Sequence, residues 1–364
     1  MTTTPAPDTS RLARLWQYLE TDPGNTSLLR DVAREAFGTG QFEEALKALD
    51  LLRDQGAHDA GDEAAALHAL SKLARWPQAT ERAEEALAQW PADEAVRVEA
   101  ARVWLNTGRL PEVVNLCEGA FEEPALAQMA GEMLLQALWH QGELGTAVAR
   151  STELVARFPQ NPRLLALHSA LLYDEERMPE AFDAAKRAYA MAPAHAYQAL
   201  HVLASERLMQ QDVAGATQWL ERAQATTQGD GRVWLLKGAA AMLSGNESQA
   251  LTALNQAAVL FPKHPGTHLT LAWLHLVRQD LDQAEQCVDQ AIAASPAFAE
   301  SHGVQALILL QRGRKEEAER AVRRALLLDK ECYSARYARG LMEQGREGNL
   351  QELVAELASK LLKF

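Results

Sequence analysis

Alanines recur at a fixed interval along most of this chain of 364 residues. They lie 34 residues apart, with one step of 35, and one double step has Val113 at its midpoint. An interval of this length is typical of a chain that repeats one small structural unit, in which neighbouring units bury each other's apolar faces. The recurring alanines are Ala45, Ala79, Ala147, Ala181, Ala216, Ala250, Ala284 and Ala318.

The repeated unit has the pattern of two helices joined by a tight turn. Residues 299–332 contain two stretches with apolar or small residues at helical spacing, and Gly313 separates them. Ala306 in the first stretch and Ala318 in the second leave room for two helices to approach closely. Ala and Leu supply much of the 48% hydrophobic content and are strong helix formers. The sequence therefore predicts an all-α fold.

This pattern resembles the tetratricopeptide repeat family, whose units are 34-residue helix–turn–helix hairpins. The family's closing proline is present at Pro91, Pro159, Pro193, Pro262 and Pro296, and its turn glycine at Gly40, Gly108, Gly142, Gly245 and Gly313. The resemblance implies a right-handed α-solenoid of stacked hairpins. The predicted units start at residues 26, 60, 94, 128, 162, 197, 231, 265 and 299.

The two ends of the chain are predicted to cover the array. Residues 10–25 read as one amphipathic capping helix, and residues 333–364 as a degenerate tenth hairpin that caps the other end. Terminal units of a solenoid must cover an otherwise exposed apolar face. Between them, residues 26–332 hold nine units, and residues 1–9 are predicted to be disordered.

Charge and composition disfavour several classes of partner. The net charge is −13 and the pI is about 5.3, whereas binding to nucleic acid or to anionic lipid requires clustered Lys and Arg. The polar start MTTTPAPDTS does not resemble a signal peptide, and no run of 18 apolar residues occurs. Three cysteines without CxxC spacing suit a reducing compartment. We therefore predict no nucleic acid partner, no membrane insertion and a cytoplasmic location.

The sequence contains no catalytic motif, neither HExxH, GxSxG, P-loop nor GxGxxG. His264 and His268 are interpreted as packing or solvated side chains, with a metal site as the alternative. Cys117 is interpreted as a core thiol. The chain is accordingly predicted to be no enzyme and to hold no cofactor or metal.

In the family, the inner wall of the stack, formed by the first helices, usually holds the ligand. Arginines in the N-terminal half of this wall predict an acidic partner segment, held by charge-assisted hydrogen bonds. The alternative is that they pair internally with Glu99 or Glu132. The family's carboxylate clamp is disfavoured, because Ala65 stands where its second asparagine would be. The predicted contacts in this half are Arg30, Arg34, His68, Arg102, Gln136, Trp139, Arg163, Tyr173 and His201.

The C-terminal half of the wall is apolar, with candidate contacts at Met242, Leu269, Trp273 and Leu276. It predicts a site for an amphipathic helix or an apolar peptide. Burial between neighbouring first helices is the alternative, favoured for the leucines, whereas partner contact is favoured for Trp273 and Met242. Self-association into a homo-oligomer through the same side chains is a third interpretation.

These features favour a non-catalytic scaffold or adaptor that binds a protein or peptide in its concave groove. A regulatory or assembly subunit of a bacterial envelope, polysaccharide or secretion complex is the alternative. An RNA-binding helical-repeat protein is disfavoured by the acidic charge. An enzyme with a site around His68 and Arg102 is the fourth hypothesis.

Overall fold

The structure is a computed structural model that describes residues 11–119, 121–226 and 229–344. Throughout these ranges the regular structure is helical, without a strand, and the chain is an all-α helical repeat solenoid. The helices are α1 (Arg11–Thr21), α2 (Thr26–Gly38), α3 (Phe42–Asp54), α4 (Ala60–Lys72), α5 (Trp76–Gln89), α6 (Glu94–Thr107), α7 (Leu110–Cys117), α8 (Pro124–His140), α9 (Leu144–Arg157), α10 (Pro162–Asp174), α11 (Met178–Met191), α12 (Tyr197–Met209), α13 (Val213–Thr226), α14 (Gly231–Leu243), α15 (Glu247–Leu260), α16 (Pro265–Val277), α17 (Leu281–Ala294), α18 (Ala299–Gln311), α19 (Lys315–Leu328) and α20 (Tyr333–Gln344).

From α2 to α19 the helices form hairpins, each with a first helix and a second helix. Even-numbered helices come first in each hairpin, and a short turn leads to the odd-numbered partner. The chain divides into two compact units, Met1–Leu164 and Leu165–Phe364. The boundary lies near the start of α10, so α1 to α9 belong to the first unit and α11 to α20 to the second.

The recurring alanines lie where the two helices of each hairpin meet. Each is the fourth residue of its second helix, one turn after the hairpin bend, and each is fully buried, as is Val113 at the same place in α7. Two helices that are joined by a tight turn lie close together there. Only a small side chain, such as that of alanine or valine, fits between them. The 34-residue interval is therefore the interval between these close contacts.

The turn inside each hairpin requires one residue in the left-handed region. Five turns use glycine, with φ between 70° and 80°, and these are the five glycines that the sequence pattern indicated. The other four turns place an ordinary residue there, namely Ala74, Glu176, Gln211 and Gln279, with φ from 53° to 61°. A left-handed conformation disfavours such residues by roughly 1–2 kcal/mol, so these turns are held in shape by the packing of the helices on either side.

Many first helices begin with a side chain that caps the free amides of the first turn. Asn25 accepts from Leu28 N at 3.0 Å, and Asp93 accepts from Val96 N at 3.0 Å. Asp59 and Asp62 form a reciprocal capping box at the start of α4. Such caps stabilise a helix by about 1 kcal/mol each and fix the residue at which the helix starts.

The regular interval is interrupted between α7 and α8. α7 ends at Cys117 after eight residues, and α8 starts at Pro124, four residues before the 34-residue interval would place it. Arg97 explains this end, because its guanidinium donates to Leu116 O at 2.6 Å and lies over the Phe121 ring. The Glu94 carboxylate then accepts the amides of residues 122 and 123, which directs the chain into α8.

At the N-terminal end, α1 packs on the first hairpin through Leu12 and Leu19, both buried. At the other end, the Glu300 carboxylate accepts the Tyr333 amide at 2.6 Å and so fixes the start of α20 on α18. Residues 1–9 and 350–363 lie outside the described residues. The division of residues 26–332 into nine units, with a cap at each end, stays a prediction.

Replacement of Ala257 or Ala291 by tryptophan tests the close helix contacts. Both alanines are fully buried in second helices, so the larger side chain must displace neighbours, and we expect a loss of about 1–3 kcal/mol or more in unfolding free energy. Urea unfolding measures the change. Gln256→Trp, at an exposed position of the same helix, is the matched control and should be close to neutral. Equal stability of all three variants would show that the assigned register is wrong.

Substitution of Gln279 by glycine tests the strain in the hairpin turns. Glycine adopts φ of 60° without a steric penalty, although it is more flexible in the unfolded chain, so a net gain of about 0.5–1 kcal/mol is expected. Gln279→Ala keeps the strained backbone and serves as the control. A lower melting temperature for the glycine variant than for the alanine variant would contradict this account.

Candidate functional site

Four polar side chains lie one interval apart on the first helices of the first unit. They are Arg34 on α2, His68 on α4, Arg102 on α6 and Gln136 on α8, and we call this set the polar ladder. All four are at least partly exposed, and the Arg34 side chain is 76% exposed. The sequence analysis predicted each of them as a partner contact. Their accessibility makes the ladder the candidate binding site.

The charged neighbours of the ladder are paired within the chain. Arg30 donates to both carboxylate oxygens of Asp62, the shorter contact being 2.7 Å, to Asp59 and to the carbonyl of Ala57. Its guanidinium thus joins α2 to the start of α4. The pKa of Arg30 is raised by the hydrogen bond to Asp62 and by the negative charge around it. Arg30 therefore acts chiefly as a link between hairpins.

The centre of the ladder is a cluster of His68, Glu99 and Arg102. His68 Nδ1 lies 3.2 Å and 3.3 Å from the two Glu99 oxygens, and Arg102 Nε donates to Glu99 at 2.9 Å. Burial by itself would raise the pKa of Glu99, but the hydrogen bond from His68 and the charge of Arg102 leave it below its ordinary value. One buried carboxylate thus orients both polar side chains that the ladder exposes here.

The end of the first unit has the same kind of internal pairing. Arg163 Nη1 lies 3.9 Å from a Glu132 oxygen, and Asn161 donates to Glu132 at 3.3 Å and to Gln128 at 2.9 Å. Trp139 and Gln136 are partly exposed on α8. Internal pairing, which the sequence left open with Glu99 or Glu132, is present at both of these carboxylates.

The net charge of the first unit is negative, which opposes the acidic partner segment that its arginines predicted. Residues 1–164 contain 15 Lys and Arg and 25 Asp and Glu, which gives −10 of the chain's −13. A surface of this sign repels an acidic polymer at distances up to the Debye length, about 10 Å at 0.1 M salt. Acidic character in a partner is therefore favourable only at close range to an exposed guanidinium such as that of Arg34.

In the second unit, two of the predicted contacts come together around Ser205. The Tyr173 and His201 rings are 6.0 Å apart and nearly perpendicular, and Tyr173 hydrogen-bonds Ser205. Burial raises the pKa of Tyr173 to about 12. Burial, together with the charge of Arg232, lowers the pKa of His201 well below its usual range. The prediction did not include Arg232, although Arg232 is the second residue of its predicted unit, the same place that the predicted contact Arg163 has in its own unit.

Four of the predicted contacts are buried in the structure. Trp273, Leu269 and Leu276 have no exposed surface, and His201 is 3% exposed. The three α16 side chains belong to the core shared with α14 and α18, in which nearly every residue of α16 is covered. The burial of Leu269 and Leu276 agrees with the interpretation that was favoured for the leucines. The expectation that Trp273 contacts a partner is wrong for this structure, because its side chain is fully buried. Met242 stays partly exposed.

The histidines and cysteines have structural surroundings. His268 and His302 each donate through Nε2 to the carbonyl of the proline six residues earlier, at 2.9 Å and 3.0 Å. All three cysteines are free and buried, and burial raises the pKa of Cys117 to about 12. In the described ranges, no three His, Cys, Asp or Glu side chains are grouped as metal ligands would be.

A buried ion pair in the first unit escaped the sequence analysis. Arg82 on α5 is 5% exposed and donates to Glu63, itself 2% exposed, at 2.7 Å and 3.1 Å, and to Asp50 at 2.5 Å. It thereby connects three helices of two hairpins. The helical pattern did contain the signal, since Arg82 lies three residues after Ala79 and four before Ala86, both on the inward face of α5.

Two stretches of the chain are similar to a known repeat family. Models of the tetratricopeptide repeat match residues 241–308 and 304–352. A comparison with curated protein sequences finds no significant match. Among the described helices, none is long and apolar enough to cross a membrane.

Solved structures share the fold at low sequence identity. The human IFIT1 dimer with m7Gppp-AAAA is 18% identical, with a TM-score of 0.53, over 84% of this chain and 77% of that one. The Cut9–Hcn1 hetero-tetramer of the APC/C is 15% identical, with a TM-score of 0.48, over 97% and 92%. At 18% identity the likeness to the IFIT1 structure concerns the fold alone.

The lowered pKa of Glu99 predicts a specific loss of stability in acid. A carboxylate whose pKa is lower in the folded state stabilises it above the unfolded pKa, about 4.3, and that contribution disappears as the pH falls through the folded value. Glu99→Gln should therefore lower the unfolding free energy at pH 7 by about 1–3 kcal/mol. The difference from the natural chain should shrink below about pH 4.

Denaturant unfolding between pH 7 and pH 3.5, roughly the range in which carboxylates titrate, measures this difference. Glu81→Gln is the control, because Glu81 is exposed and has no hydrogen bond or ion pair to the described residues. A Glu99→Gln effect that is the same at both ends of the pH range would contradict the assignment.

Proposed function

Because this chain is a tetratricopeptide repeat protein, we propose that it is a non-catalytic scaffold whose partner peptide lies along the polar ladder of the first unit. The observation that carries the proposal is the ladder itself. It presents Arg34, His68, Arg102 and Gln136, one hydrogen-bonding side chain from each of four successive first helices. A protein-interaction role is the general function of such repeats, and the exposure of the ladder supports a site on the first unit.

The spacing of the ladder suits an extended peptide. Packed helices lie roughly 8–10 Å apart, and an extended chain advances about 3.3 Å per residue. Successive ladder residues would therefore meet about every third residue of a peptide that crosses the first helices. Because Glu99 holds His68 and Arg102 in place, these two side chains lose little further conformational freedom on binding.

The ladder also indicates the chemistry of the partner. Arg30 and Arg102 are satisfied by carboxylates of the chain, whereas Arg34, among the described residues, pairs only with the partly exposed Asp31 on its own helix. An acidic residue of the partner would therefore be placed at Arg34. Elsewhere the ladder favours neutral polar groups, which accept from Gln136 and Arg102 without the repulsion that an acidic segment would meet.

In the second unit, the inner residues of α14 are the accessible apolar candidates. Leu235, Ala239 and Met242 are partly exposed, unlike the corresponding residues of α16. We propose that an apolar part of the partner contacts Met242 there.

Buried free thiols at all three cysteines support a cytoplasmic location.

The other functions considered from the sequence receive no specific support. The human IFIT1 dimer structure contains m7Gppp-AAAA, but its likeness to this chain concerns the fold alone. Arg102 on the ladder and its neighbour Arg30 already engage carboxylates, which opposes phosphate binding. A role in an envelope or secretion assembly stays an alternative without a residue to carry it.

A comparison of captured partners tests the ladder. Tagged natural chain and an Arg34→Glu/Gln136→Ala variant are used to capture proteins from the source cells, and candidate partners are then titrated in purified form. We expect a partner whose affinity falls at least roughly tenfold in the variant, as the loss of a charged hydrogen bond implies. Arg187→Glu, an exposed substitution on α11, is the matched control and should retain it.

Two outcomes would contradict the proposal. One is a purified partner that binds the ladder variant as tightly as the natural chain. The other is an equal loss of binding in the Arg187→Glu control, since that residue lies on a second helix and far along the chain from the ladder.

A further inference from the structure

The outward faces of two second helices carry opposite charges at identical places. The sixth, ninth, tenth and thirteenth residues of a second helix form one stripe, because they are spaced at three, four and seven residues. On α5 this stripe is Glu81, Glu84, Glu85 and Ala88, and all four are exposed. We call it the acidic stripe.

On α19 the same four places are Arg320, Arg323, Arg324 and Leu327, again all exposed. We call this set the basic stripe. No other second helix from α3 to α19 carries three charges of one sign at these places. The two stripes lie in different units of the chain, and each is a matching surface for the other.

The basic stripe is poorly neutralised by its own helix. Arg320 lies 4.0 Å from Glu317, and that carboxylate is held more closely by Arg314 at 2.6 Å. Arg323 lies 3.6 Å from Glu319, and Arg324 has no ion pair to the described residues. Like charges three or four residues apart destabilise a helix by a few tenths of a kcal/mol. An acidic surface laid against α19 would remove that repulsion.

Leu327 adds an apolar element to the basic stripe. Its exposed fraction is 78%, the highest among the large hydrophobic side chains of the described residues. One exposed leucine is ordinary on a protein surface. Flanked by three guanidinium groups, however, it matches a partner that offers carboxylates beside a small apolar residue, as the acidic stripe does with Ala88.

The acidic stripe is available for such a contact. Glu81 has no ion pair to the described residues. Glu84 and Glu85 are paired with Arg109 and Arg53, and both glutamate side chains are more than half exposed. Exposed pairs of this kind contribute about 0–1 kcal/mol and exchange partners readily. A second set of arginines can therefore be accommodated without a large loss.

We propose that this protein self-associates, with the basic stripe on α19 of one copy against the acidic stripe on α5 of another. The contact is between outward faces, so it leaves the polar ladder accessible. Three carboxylates face three guanidinium groups, and the complementarity sets the register and the rate of encounter more than it sets the affinity. A contact between two helices is small, which points to reversible association that salt weakens.

The two stripes are different segments of the chain, so a single contact between two copies is heterologous. Such a contact does not by itself produce a closed dimer. If both stripes of one copy meet both stripes of the same second copy, the product is a two-fold dimer. If they meet different copies, head-to-tail series form. The mass at increasing concentration distinguishes these two forms, and both support the proposed contact.

Charge reversal tests the contact in the full-length chain. One variant is Arg320→Glu/Arg324→Glu, whose two stripes are both acidic, and the other is Glu81→Arg/Glu85→Arg, whose two stripes are both basic. Sedimentation velocity gives the mass of each at about 50 mM and about 500 mM salt, where screening differs severalfold in range. We expect association of the natural chain at low salt only, and at least roughly tenfold weaker association of each variant.

Mixing the two variants is the decisive measurement. The acidic α19 of one variant can then meet the basic α5 of the other, so a mixed complex should form although neither variant associates alone. Because Glu85 is paired with Arg53, Glu81→Arg alone serves as a milder second variant, and a circular dichroism melt shows that each variant is folded. Arg187→Glu, at the tenth residue of α11, is the matched control and should associate like the natural chain.

Three results would overturn the proposal. The first is a natural chain that stays monomeric at low salt and about 100 μM, a concentration that populates any contact with a Kd of about 100 μM or lower. The second is a pair of variants that associate as the natural chain does, and the third is a mixture that forms no complex. Binding of RNA that is lost in Arg320→Glu/Arg324→Glu, with a monomeric natural chain, would instead assign the basic stripe to phosphates.

Discussion

The close contact between the two helices of each hairpin is the constraint on which the other features depend. Ala45, Ala79 and their counterparts are buried one turn after each bend, where the backbone of the first helix leaves no room for more than a small side chain. Because this contact fixes how each pair of helices sits, it also fixes which residues of the first helix face inward and which of the second face outward. The polar ladder and the two charged stripes are consequences of that register.

The hairpin contact also explains why the turns can depart from the glycine pattern. Glu176 and Gln279 hold the left-handed conformation that Gly245 adopts freely. The strain at such a turn is smaller than the stabilisation from a fully packed pair of helices, so the array tolerates four such turns. Where the interval itself fails, at the end of α7, a specific side chain is responsible: Arg97 binds the carbonyl end of the helix.

Charge has two different roles in the two faces of the molecule. On the inner side, Arg30, Glu99 and Glu132 link neighbouring first helices and orient the side chains that stay exposed. On the outer side, the stripes of α5 and α19 keep charges of one sign together, which is unfavourable within each helix. Paired charges inside and segregated charges outside together suggest that the two faces serve different partners.

The sequence by itself predicted an all-α repeat fold, because small residues at a 34-residue interval and at helical spacing indicate repeated close contacts between paired helices. It also identified Arg34, His68, Arg102 and Gln136, since equal spacing places them on one face. Only the tertiary structure decided that Arg30 and Arg102 are bound by carboxylates from other turns or hairpins, that Arg82 is buried with Glu63, and that Trp273 lies in the core. Helical spacing gives the direction of a side chain, whereas burial and pairing depend on neighbouring helices that the spacing does not specify.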